Sequence, residues 1–331
     1  MSIALSIALS VHVERWPIAG VFAIARGAKM QAEVVVAEFA EGRHRGRGEC
    51  VPYARYGETI ESVVAAIEAM RSPLAAGLDR TGLQDRMPPG AARNALDCAF
   101  WDLEAKRAGR PVHALAGRPP PRPVVTAYTI SLDRPEAMAA AAAKAASRKL
   151  LKVKLGAAGD PDRIRTVRAA APDCELIVDA NEAWSPGNLG ENLAACAEAG
   201  VTLVEQPLPA GADRCLAAFP HAMAICADES VHDCASLPAL VGRYDAVNVK
   251  LDKTGGLTEA LGLAAEAERL GFDLMVGCMV STSLAMAPAH LLAQRARLVD
   301  LDGPLLLAKD RPEGMRYEGS RVYPPRPELW G

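Results

Sequence analysis

A strand repeat that begins at Ala127 limits the fold of this chain more than any other feature. Eight short runs rich in β-branched and other apolar residues recur, and each ends in polar residues or glycine. The markers of the eight ends are Ser131, Lys154, Asp179, Glu205, Asp228, Lys250, Gly277 and Asp300, at steps of 22 to 27 residues. Segments with alanine and leucine at helical spacing separate the runs, for example 161–172 and 257–271. Alternating strands and helices predict an α/β fold with a parallel modified TIM barrel, (β/α)7β, whose functional groups lie at the C-terminal strand ends.

The residues before the repeat follow a different pattern. Alternating strands such as 32–42 come first and helical segments such as 90–109 follow, which is typical of an α+β domain. The proline-rich stretch Gly117–Val124 is the predicted linker. We therefore predict a capping domain over residues 1–117, the barrel over 118–306, and a C-terminal tail over 307–331 that returns to the capping domain and completes it.

Charge and cysteine content narrow the setting. With 37 basic and 40 acidic residues the net charge is −3, so the chain has no general attraction for nucleic acid or anionic membranes. Its eight cysteines form no CxxC pair, which indicates reduced thiols in a cytoplasmic protein. We interpret the apolar N-terminus as a first strand rather than a signal peptide, and no apolar run is long enough to span a membrane. The expected partner is a small molecule, and the sequence does not decide between a monomer and a homo-oligomer.

Three acidic strand ends predict a metal site. Asp179, Glu205 and Asp228 end the third, fourth and fifth strands of the repeat, so they converge at one side of the barrel mouth. Three carboxylates that leave coordination positions free suit Mg²⁺, whereas the absence of histidine from every strand end disfavours zinc. Asn181, two residues past Asp179, is expected on the same face, where it would orient a ligand or a metal-bound water.

Lysines flank this predicted metal site. Lys152 and Lys154 share a face of the second strand, and Lys250 ends the sixth strand, across the barrel. We expect the like charge of Lys152 and the cation to bring the pKa of Lys154 down from about 10.4, as a general base requires. Two lysines on opposite sides of a substrate would remove a proton from one face of a carbon and return it on the other. Either lysine taken alone has an alternative interpretation as a salt bridge to a barrel carboxylate.

The stretch "VDLDGP", 299–304, carries a further pair of acids. On a strand, Asp300 and Asp302 would project side by side from one face, and two anions that close require a cation. The residues themselves leave three candidates open: a second metal, arginines such as Arg295 and Arg297, or a cationic group of the substrate.

Six motifs, distributed over nearly the whole chain, resemble the enolase superfamily in its muconate lactonizing enzyme subgroup. They are "ALDCAFWDLEAKRAGRPVHALAG" at 95–117, "KVKLG" at 152–156, "DANEAW" at 179–184, "VEQP" at 204–207, "ADES" at 227–230 and "NVKLDKTGG" at 248–256. The resemblance implies that Lys154 and Lys250 are the acid/base pair, that Asp179, Glu205 and Asp228 bind one Mg²⁺, and that Lys152 helps to hold a substrate carboxylate.

Within this subgroup, the Asp-x-Asp motif is a feature of dipeptide epimerases. The resemblance implies that Asp300 and Asp302 hold the α-ammonium of a dipeptide, and that Cys278 and Met279, in the loop after the seventh strand, contact the substrate. It further implies that two capping-domain loops read the C-terminal side chain, one with Arg26 and Lys29 and the other with Tyr53, Arg55 and Tyr56. Cationic and phenolic groups favour an anionic side chain, so the expected substrate is L-Ala-D/L-Glu, in the reuse of cell-wall peptides. Solvated surface charge remains the alternative for these loop residues.

Three other functions stay open at this point. An N-acylamino acid racemase or an o-succinylbenzoate synthase of the same subgroup would use the same lysines and metal without an ammonium group on the substrate. A non-catalytic ligand-binding barrel is the third possibility, which the five charged strand ends argue against.

Overall fold

The computed structural model describes residues 7–156 and 158–331. Its strands are β1 (Ala8–Ile24), β2 (Gly27–Glu41), β3 (His44–Cys50), β4 (Val124–Val125), β5 (Tyr128–Ile130), β6 (Leu150–Lys154), β7 (Glu175–Asp179), β8 (Val201–Glu205), β9 (Ala224–Ala227), β10 (Ala246–Val249), β11 (Asp273–Val276), β12 (Leu298–Val299), β13 (Tyr317–Glu318) and β14 (Arg321–Val322). Its α-helices are α1 (Ile60–Glu68), α2 (Arg71–Ala75), α3 (Arg80–Arg86), α4 (Ala91–Ala108), α5 (Val112–Leu115), α6 (Pro135–Lys144), α7 (Asp160–Ala170), α8 (Pro186–Glu198), α9 (Leu251–Thr254), α10 (Leu257–Arg269), α11 (Ser283–Leu292) and α12 (Gly303–Leu306).

The N-terminal part is an antiparallel sheet covered by helices. The sheet has the order β1-β2-β3, and the long helix α4 packs on it. Two glycines of β3 allow this close approach, because a Cβ on Gly46 would lie 2.3 Å from Ala99 O and one on Gly48 would lie 2.0 Å from Ala95 O. The predicted α+β capping domain is confirmed as a fold.

Eight parallel strands form the second part. They follow one another in the order β5 to β12, and Ala127 N donates to Val299 O at 2.8 Å, which joins the first strand to the last. Apolar side chains from successive strands fill the interior below the mouth: Ala127, Leu150, Ile177, Leu203, Cys226, Ala246, Met275 and Leu298. The predicted modified TIM barrel is therefore confirmed.

Two of the connections between barrel strands differ from the predicted strand–helix repeat. Residues Arg214–Ala218 and Cys234–Leu240 form 3₁₀-helices where α-helices were expected. Proline accounts for both departures, since Pro238 lies inside the second segment, and prolines at 207, 209 and 220 leave little helix-compatible chain for the first.

The end of the chain lies against the N-terminal part. Trp330 Nε1 donates to Cys98 O at 3.0 Å, Gly331 N donates to Asp102 Oδ1 at 2.7 Å, and Arg47 Nη2 donates to Leu329 O at 2.9 Å. Residues 118–123 lie outside any helix or strand. The domain boundaries at 117 and 306 stay predictions.

All eight cysteines are unpaired thiols. Among the described residues, no helix has both the length and the apolar character needed to cross a membrane.

Candidate active site at the barrel mouth

The charged strand ends meet in one layer of the barrel. Lys154, Asp179 and Glu205 are the last residues of β6, β7 and β8, and they are Cα partners across the parallel ladder. Asp228 and Lys250 directly follow β9 and β10. All five side chains are buried, and Asp179 and Glu205 have no exposed surface.

Above this layer lies a cavity of about 480 Å³. Ten residues predicted for the site line it: Arg26, Lys29, Lys154, Asn181, Asp228, Lys250, Cys278, Met279, Asp300 and Asp302. Lys152, Asp179 and Glu205 are fully buried beside these residues and do not line the cavity, and neither does Tyr56. The cavity is thus walled by capping-domain loops on one side and barrel loops on the other.

Lysines and carboxylates alternate in the buried layer. Lys154 Nζ donates to Asp179 Oδ2 at 2.6 Å, and Lys250 Nζ donates to Asp228 Oδ2 at 2.6 Å. Lys152 Nζ lies 2.7 Å from Glu205 Oε2, 2.8 Å from Asp300 Oδ2 and 3.2 Å from Asp179 Oδ2.

These contacts change the expected acid–base properties. Burial alone would lower the pKa of Lys250, but the carboxylates of Asp228 and Glu205 outweigh it and raise that pKa well above its ordinary value. The carboxylates of Asp300 and Glu205 likewise outweigh burial for Lys152 and raise its pKa. We had expected repulsion between Lys152 and Lys154 to lower their pKa values. At Lys152 the direction is the opposite, because the surrounding carboxylates outweigh both burial and that repulsion.

The donor set suits a hard divalent cation. The carboxylates of Asp179, Glu205 and Asp228 come from adjacent strands, and the partner of Glu205 Oε2 is the Lys152 ammonium at 2.7 Å. Among the described residues, Asn181 Oδ1 is buried without a hydrogen-bond partner. In the described part of the chain, however, no three acidic, histidine or cysteine side chains stand close enough to hold an ion without rearrangement. Because lysine ammonium groups touch the same oxygens, Mg²⁺ would bind here in exchange for some of those contacts.

Asn181 reaches the cavity by a different route from the one predicted. Strand β7 ends at Asp179, and Asn181 has a φ of 47°, in the left-handed region, so the alternation of strand faces does not apply. Its backbone N–H donates to Asp179 Oδ1 at 2.9 Å, which orients that carboxylate.

The acidic pair lies just past the end of the eighth strand. Strand β12 ends at Val299, so Asp300 and Asp302 do not share a strand face as predicted, although both line the cavity. Thr129 N donates to Asp302 Oδ2 at 2.7 Å, and burial together with Asp300 raises the pKa of Asp302 to about 7. Asp300 Oδ1 is buried and has no hydrogen-bond partner among the described residues.

Arginines do not neutralise this pair. Arg295 binds Glu268, and Arg297 Nη1 lies 2.5 Å from Asp273 Oδ2. The alternative that Arg295 and Arg297 pair with Asp300 and Asp302 is therefore wrong.

The two capping-domain loops are tied to the barrel by ion pairs. Arg26 donates to Asn181 O at 2.7 Å, to Tyr53 Oη at 2.8 Å and to Glu229 Oε1 at 2.5 Å. Burial alone would lower the pKa of Arg26, but the contacts with Glu229 and Tyr53 outweigh burial and raise that pKa above its ordinary value. Arg26 is thus a cavity residue whose donors already have protein partners.

The other predicted loop residues differ from one another. Lys29 lines the cavity and is exposed. Tyr56 packs edge-on against His232, with ring centroids 4.5 Å apart, and Tyr53 and Arg55 line the cavity in its place.

Some residues of the site were missed from the sequence. Lys253 donates to Asp228 O, Asp228 Oδ1 and Asn248 O at 2.5, 2.6 and 2.9 Å, so all three of its protons hold the Asp228 region in place. Its position three residues after Lys250, within "NVKLDKTGG", was the available signal. Thr129, which also lines the cavity, gave no signal beyond its place near the end of the first barrel strand.

Comparison with known proteins identifies relatives over the whole length. Residues 6–117 match the family model described as mandelate racemase / muconate lactonizing enzyme, N-terminal domain, and residues 136–327 match the one described as enolase C-terminal domain-like. An L-Ala-D/L-Glu epimerase of Escherichia coli (strain K12) is 48% identical over 95% of this chain and 99% of its own. An N-acetyl-D-glutamate racemase of a Pseudoalteromonas species is 46% identical over 90% of this chain and 95% of its own.

Solved structures agree in fold. An enolase family member from Agrobacterium tumefaciens, with homology to dipeptide epimerases and with bound sodium and L-Ala-L-Glu, has a TM-score of 0.97 and 57% identity over 98% of this chain and 100% of its own. A dipeptide epimerase from Methylococcus capsulatus, in complex with Mg and L-Arg-D-Lys, has a TM-score of 0.89 and 32% identity over 98% of this chain and 99% of its own.

The matched models cover most of the chain, the named relatives are epimerases and racemases, and the buried layer carries the charged groups that the motifs predicted. The chain therefore belongs to the mandelate racemase / muconate lactonizing enzyme family of the enolase superfamily.

Proposed function

We propose that this protein is a dipeptide epimerase that inverts the α-carbon of the C-terminal residue, with L-Ala-D/L-Glu as its preferred substrate. The observation that carries the proposal is the distribution of charge in one cavity. Lys154 and Lys250 lie on strands four positions apart in an eight-stranded barrel, the acidic pair Asp300 and Asp302 lies at the eighth strand, and Arg26 enters from the capping domain.

The two lysines supply a proton donor and a proton acceptor on opposite sides of the substrate. One lysine, as the free amine, takes the α-proton from one face, and the other, as the ammonium, returns a proton to the opposite face. Reversal of the two roles carries the reverse reaction, so both epimers are substrates. Mg²⁺ held by Asp179, Glu205 and Asp228 would supply positive charge that stabilises the carbanion-like anion and draws carboxylate charge away from the lysines.

The ends of the dipeptide are assigned by charge. The α-ammonium suits Asp300 and Asp302, since Asp300 Oδ1 is buried and has no hydrogen-bond partner. The C-terminal carboxylate lies nearest the predicted metal, where Lys152 adds positive charge from below. An anionic side chain suits Arg26, whose planar guanidinium can bind a carboxylate in exchange for its present contacts with Glu182 and Glu229.

The relative that is an N-acetyl-D-glutamate racemase supports a second candidate, racemisation of N-acetylglutamate. That substrate carries a neutral amide where a dipeptide carries an ammonium, so it offers no cation to Asp302 and leaves Lys152 as the cationic partner of Asp300. The dipeptide is therefore the better fit. Since Ala-Glu is a cell-wall peptide fragment, we place the enzyme in the recycling of such peptides in a bacterial cytoplasm.

A screen in D₂O tests the proposal and its alternatives together. A dipeptide library, with N-acetylglutamate and N-succinyl amino acids included, is incubated with the protein and Mg²⁺, and α-deuterium is scored by mass. We expect label in Ala-Glu above all other compounds. Label in the N-acyl compounds but in no dipeptide would favour the racemase, and no label in any compound would leave a non-catalytic barrel.

A further inference from the structure

Glu182 joins the two capping-domain loops to the barrel. Arg55 donates Nε to Glu182 Oε2 and Nη2 to Glu182 Oε1, both at 2.7 Å, in the bidentate geometry that binds a carboxylate best. Arg26 Nη1 lies 3.2 Å from Glu182 Oε2, and Ala210 N donates to Oε1 at 2.8 Å. One carboxylate thus contacts the loop at residue 26, the loop at residue 55 and the barrel loop after β8.

The backbone that presents Glu182 is held in an unfavourable conformation. Asn181 and Glu182 have φ values of 47° and 69°, in the left-handed region that non-glycine residues seldom adopt. Such a strained conformation persists only where the surrounding structure holds it in place. Glu182 N donates to Gln206 O at 2.9 Å, and Arg26 Nη1 donates to Asn181 O at 2.7 Å. The capping domain therefore helps to hold the segment that begins at the predicted metal ligand Asp179.

The first loop also fits tightly against this segment. A Cβ on Gly156 would lie 2.6 Å from Ala25 Cβ and 2.7 Å from Ala183 Cβ, so only glycine allows Ala25 to approach. Ala25 precedes Arg26, and Ala183 follows Glu182. The packing and the ion pairs therefore bring together the same two segments, the capping-domain loop at 25–26 and the barrel loop at 182–183.

We propose that Glu182 is a positioning residue for substrate binding: it fixes both capping-domain loops over the mouth and so sets the place of Arg26. This inference rests on the proposed function for its kinetic part. Glu182 does not line the cavity. Its loss should therefore raise KM while kcat changes little.

An exposed ion pair provides a matched control. Arg269 donates Nε to Glu266 Oε2 at 2.7 Å and Nη2 to Glu266 Oε1 at 2.6 Å, the same bidentate geometry, within helix α10. Its partners are three residues apart and lie away from the cavity, so loss of this pair should leave substrate binding unchanged.

The test compares Glu182→Gln with Glu266→Gln. For Ala-Glu we expect Glu182→Gln to raise KM by roughly tenfold or more, with kcat within about threefold, and Glu266→Gln to change neither. Trypsin, with fragments identified by mass, should cut Glu182→Gln several times faster than the wild type after Arg26 and Lys29. Cleavage after Arg43, in the exposed β2–β3 turn, serves as the internal reference.

A second variant covers the case in which Glu182→Gln does not fold. Arg55→Gln removes the same ion pair from the more exposed side. The KM of the double variant for Ala-Glu should be no higher than the higher of the two single-variant KM values. If the increases in KM of the two single variants add fully in the double variant, the proposal is contradicted. It is also contradicted if Glu182→Gln has a KM and a trypsin cleavage rate within twofold of the wild type. A large fall in kcat at unchanged KM would assign Glu182 to the chemical step instead. If the wild type does not turn over Ala-Glu, the proposed function fails, and the trypsin rates alone decide the role of Glu182.

Discussion

Lys154 and Lys250 end strands that lie four positions apart in the barrel order, and each ammonium is 2.6 Å from a buried carboxylate. The same pair of interactions therefore recurs on opposite sides of one cavity. An arrangement of this kind gives a planar carbon between the lysines a proton-transfer group on each face, which inversion requires and simple binding does not.

Removal of either lysine should abolish epimerisation. We expect Lys154→Ala and Lys250→Ala each to lose inversion of Ala-Glu, because a single base cannot return a proton to the opposite face. Each variant should still exchange the α-hydrogen of one epimer only, and the two variants should prefer opposite epimers. The measurement is α-deuterium incorporation into L-Ala-L-Glu and L-Ala-D-Glu, and wild-type epimerisation rates in either variant would refute the assignment.

The acidic pair should matter only for substrates with an ammonium group. Asp300→Asn and Asp302→Asn should lower kcat/KM for Ala-Glu by roughly ten- to a hundredfold, because a charge-assisted hydrogen bond is worth about 1.5 to 3 kcal/mol. N-acetylglutamate provides the matched comparison, since it lacks that charge. An equal loss with both substrates would show that the aspartates act on the fold or the metal site rather than on the ammonium.

The proposed contact between Arg26 and the substrate side chain is tested with a neutral, shorter residue. Arg26→Gln removes the charge without adding a third carboxylate beside Glu182 and Glu229, which Arg26→Glu would do. The ratio of kcat/KM for Ala-Glu to that for Ala-Gln should fall by roughly tenfold or more. If both substrates lose activity equally and the ratio stays constant, Arg26 only holds the loops together.

The strand-end residues were predictable because a parallel barrel repeats. Lys154, Asp179 and Glu205 are strand ends as marked, and Asp228 and Lys250 follow their strands by one residue. A fixed period places such residues in one layer whatever the details of packing. The Asp300–Asp302 pair was found for a partly wrong reason, since β12 is shorter than the pattern indicated, but the turn after it still faces the mouth.

Contacts across the two parts of the chain could not be predicted in this way. Arg26 and Glu229 are 203 residues apart and touch only because the capping domain lies over the barrel. Glu182 lies within the motif "DANEAW", but its role was not predictable because that role depends on left-handed backbone at Asn181 and Glu182, which a strand-face pattern does not describe.

Acid stability should depend on His290. This side chain is fully buried in α11, and neither ring nitrogen makes a hydrogen bond. Burial lowers the pKa of His290 to about 4 and outweighs the opposing influence of the Val322 backbone. The unfolded chain, with a pKa near 6.5, binds a proton more readily than the folded one, so stability falls as the pH drops from about 6.5 toward 4.

The loss of unfolding free energy at low pH can be measured by comparison with a variant that has no titratable group at position 290. Between pH 7 and pH 5 the wild type should lose about 2 kcal/mol of unfolding free energy more than His290→Phe, as read from urea unfolding at both pH values. Equal losses in the two proteins would mean that His290 is protonated in the folded state or is not the acid-sensitive group.

The most direct test of the proposed reaction follows the α-hydrogens of L-Ala-L-Glu by ¹H NMR in D₂O with the wild-type protein and Mg²⁺. We predict that L-Ala-D-Glu carries deuterium at the glutamate α-carbon from the first turnovers, and that the alanine α-hydrogen is retained. L-Ala-D-Glu that retains the substrate α-hydrogen in the first turnovers would contradict the two-lysine mechanism, and the absence of any exchange at the glutamate α-carbon would contradict the proposed function itself.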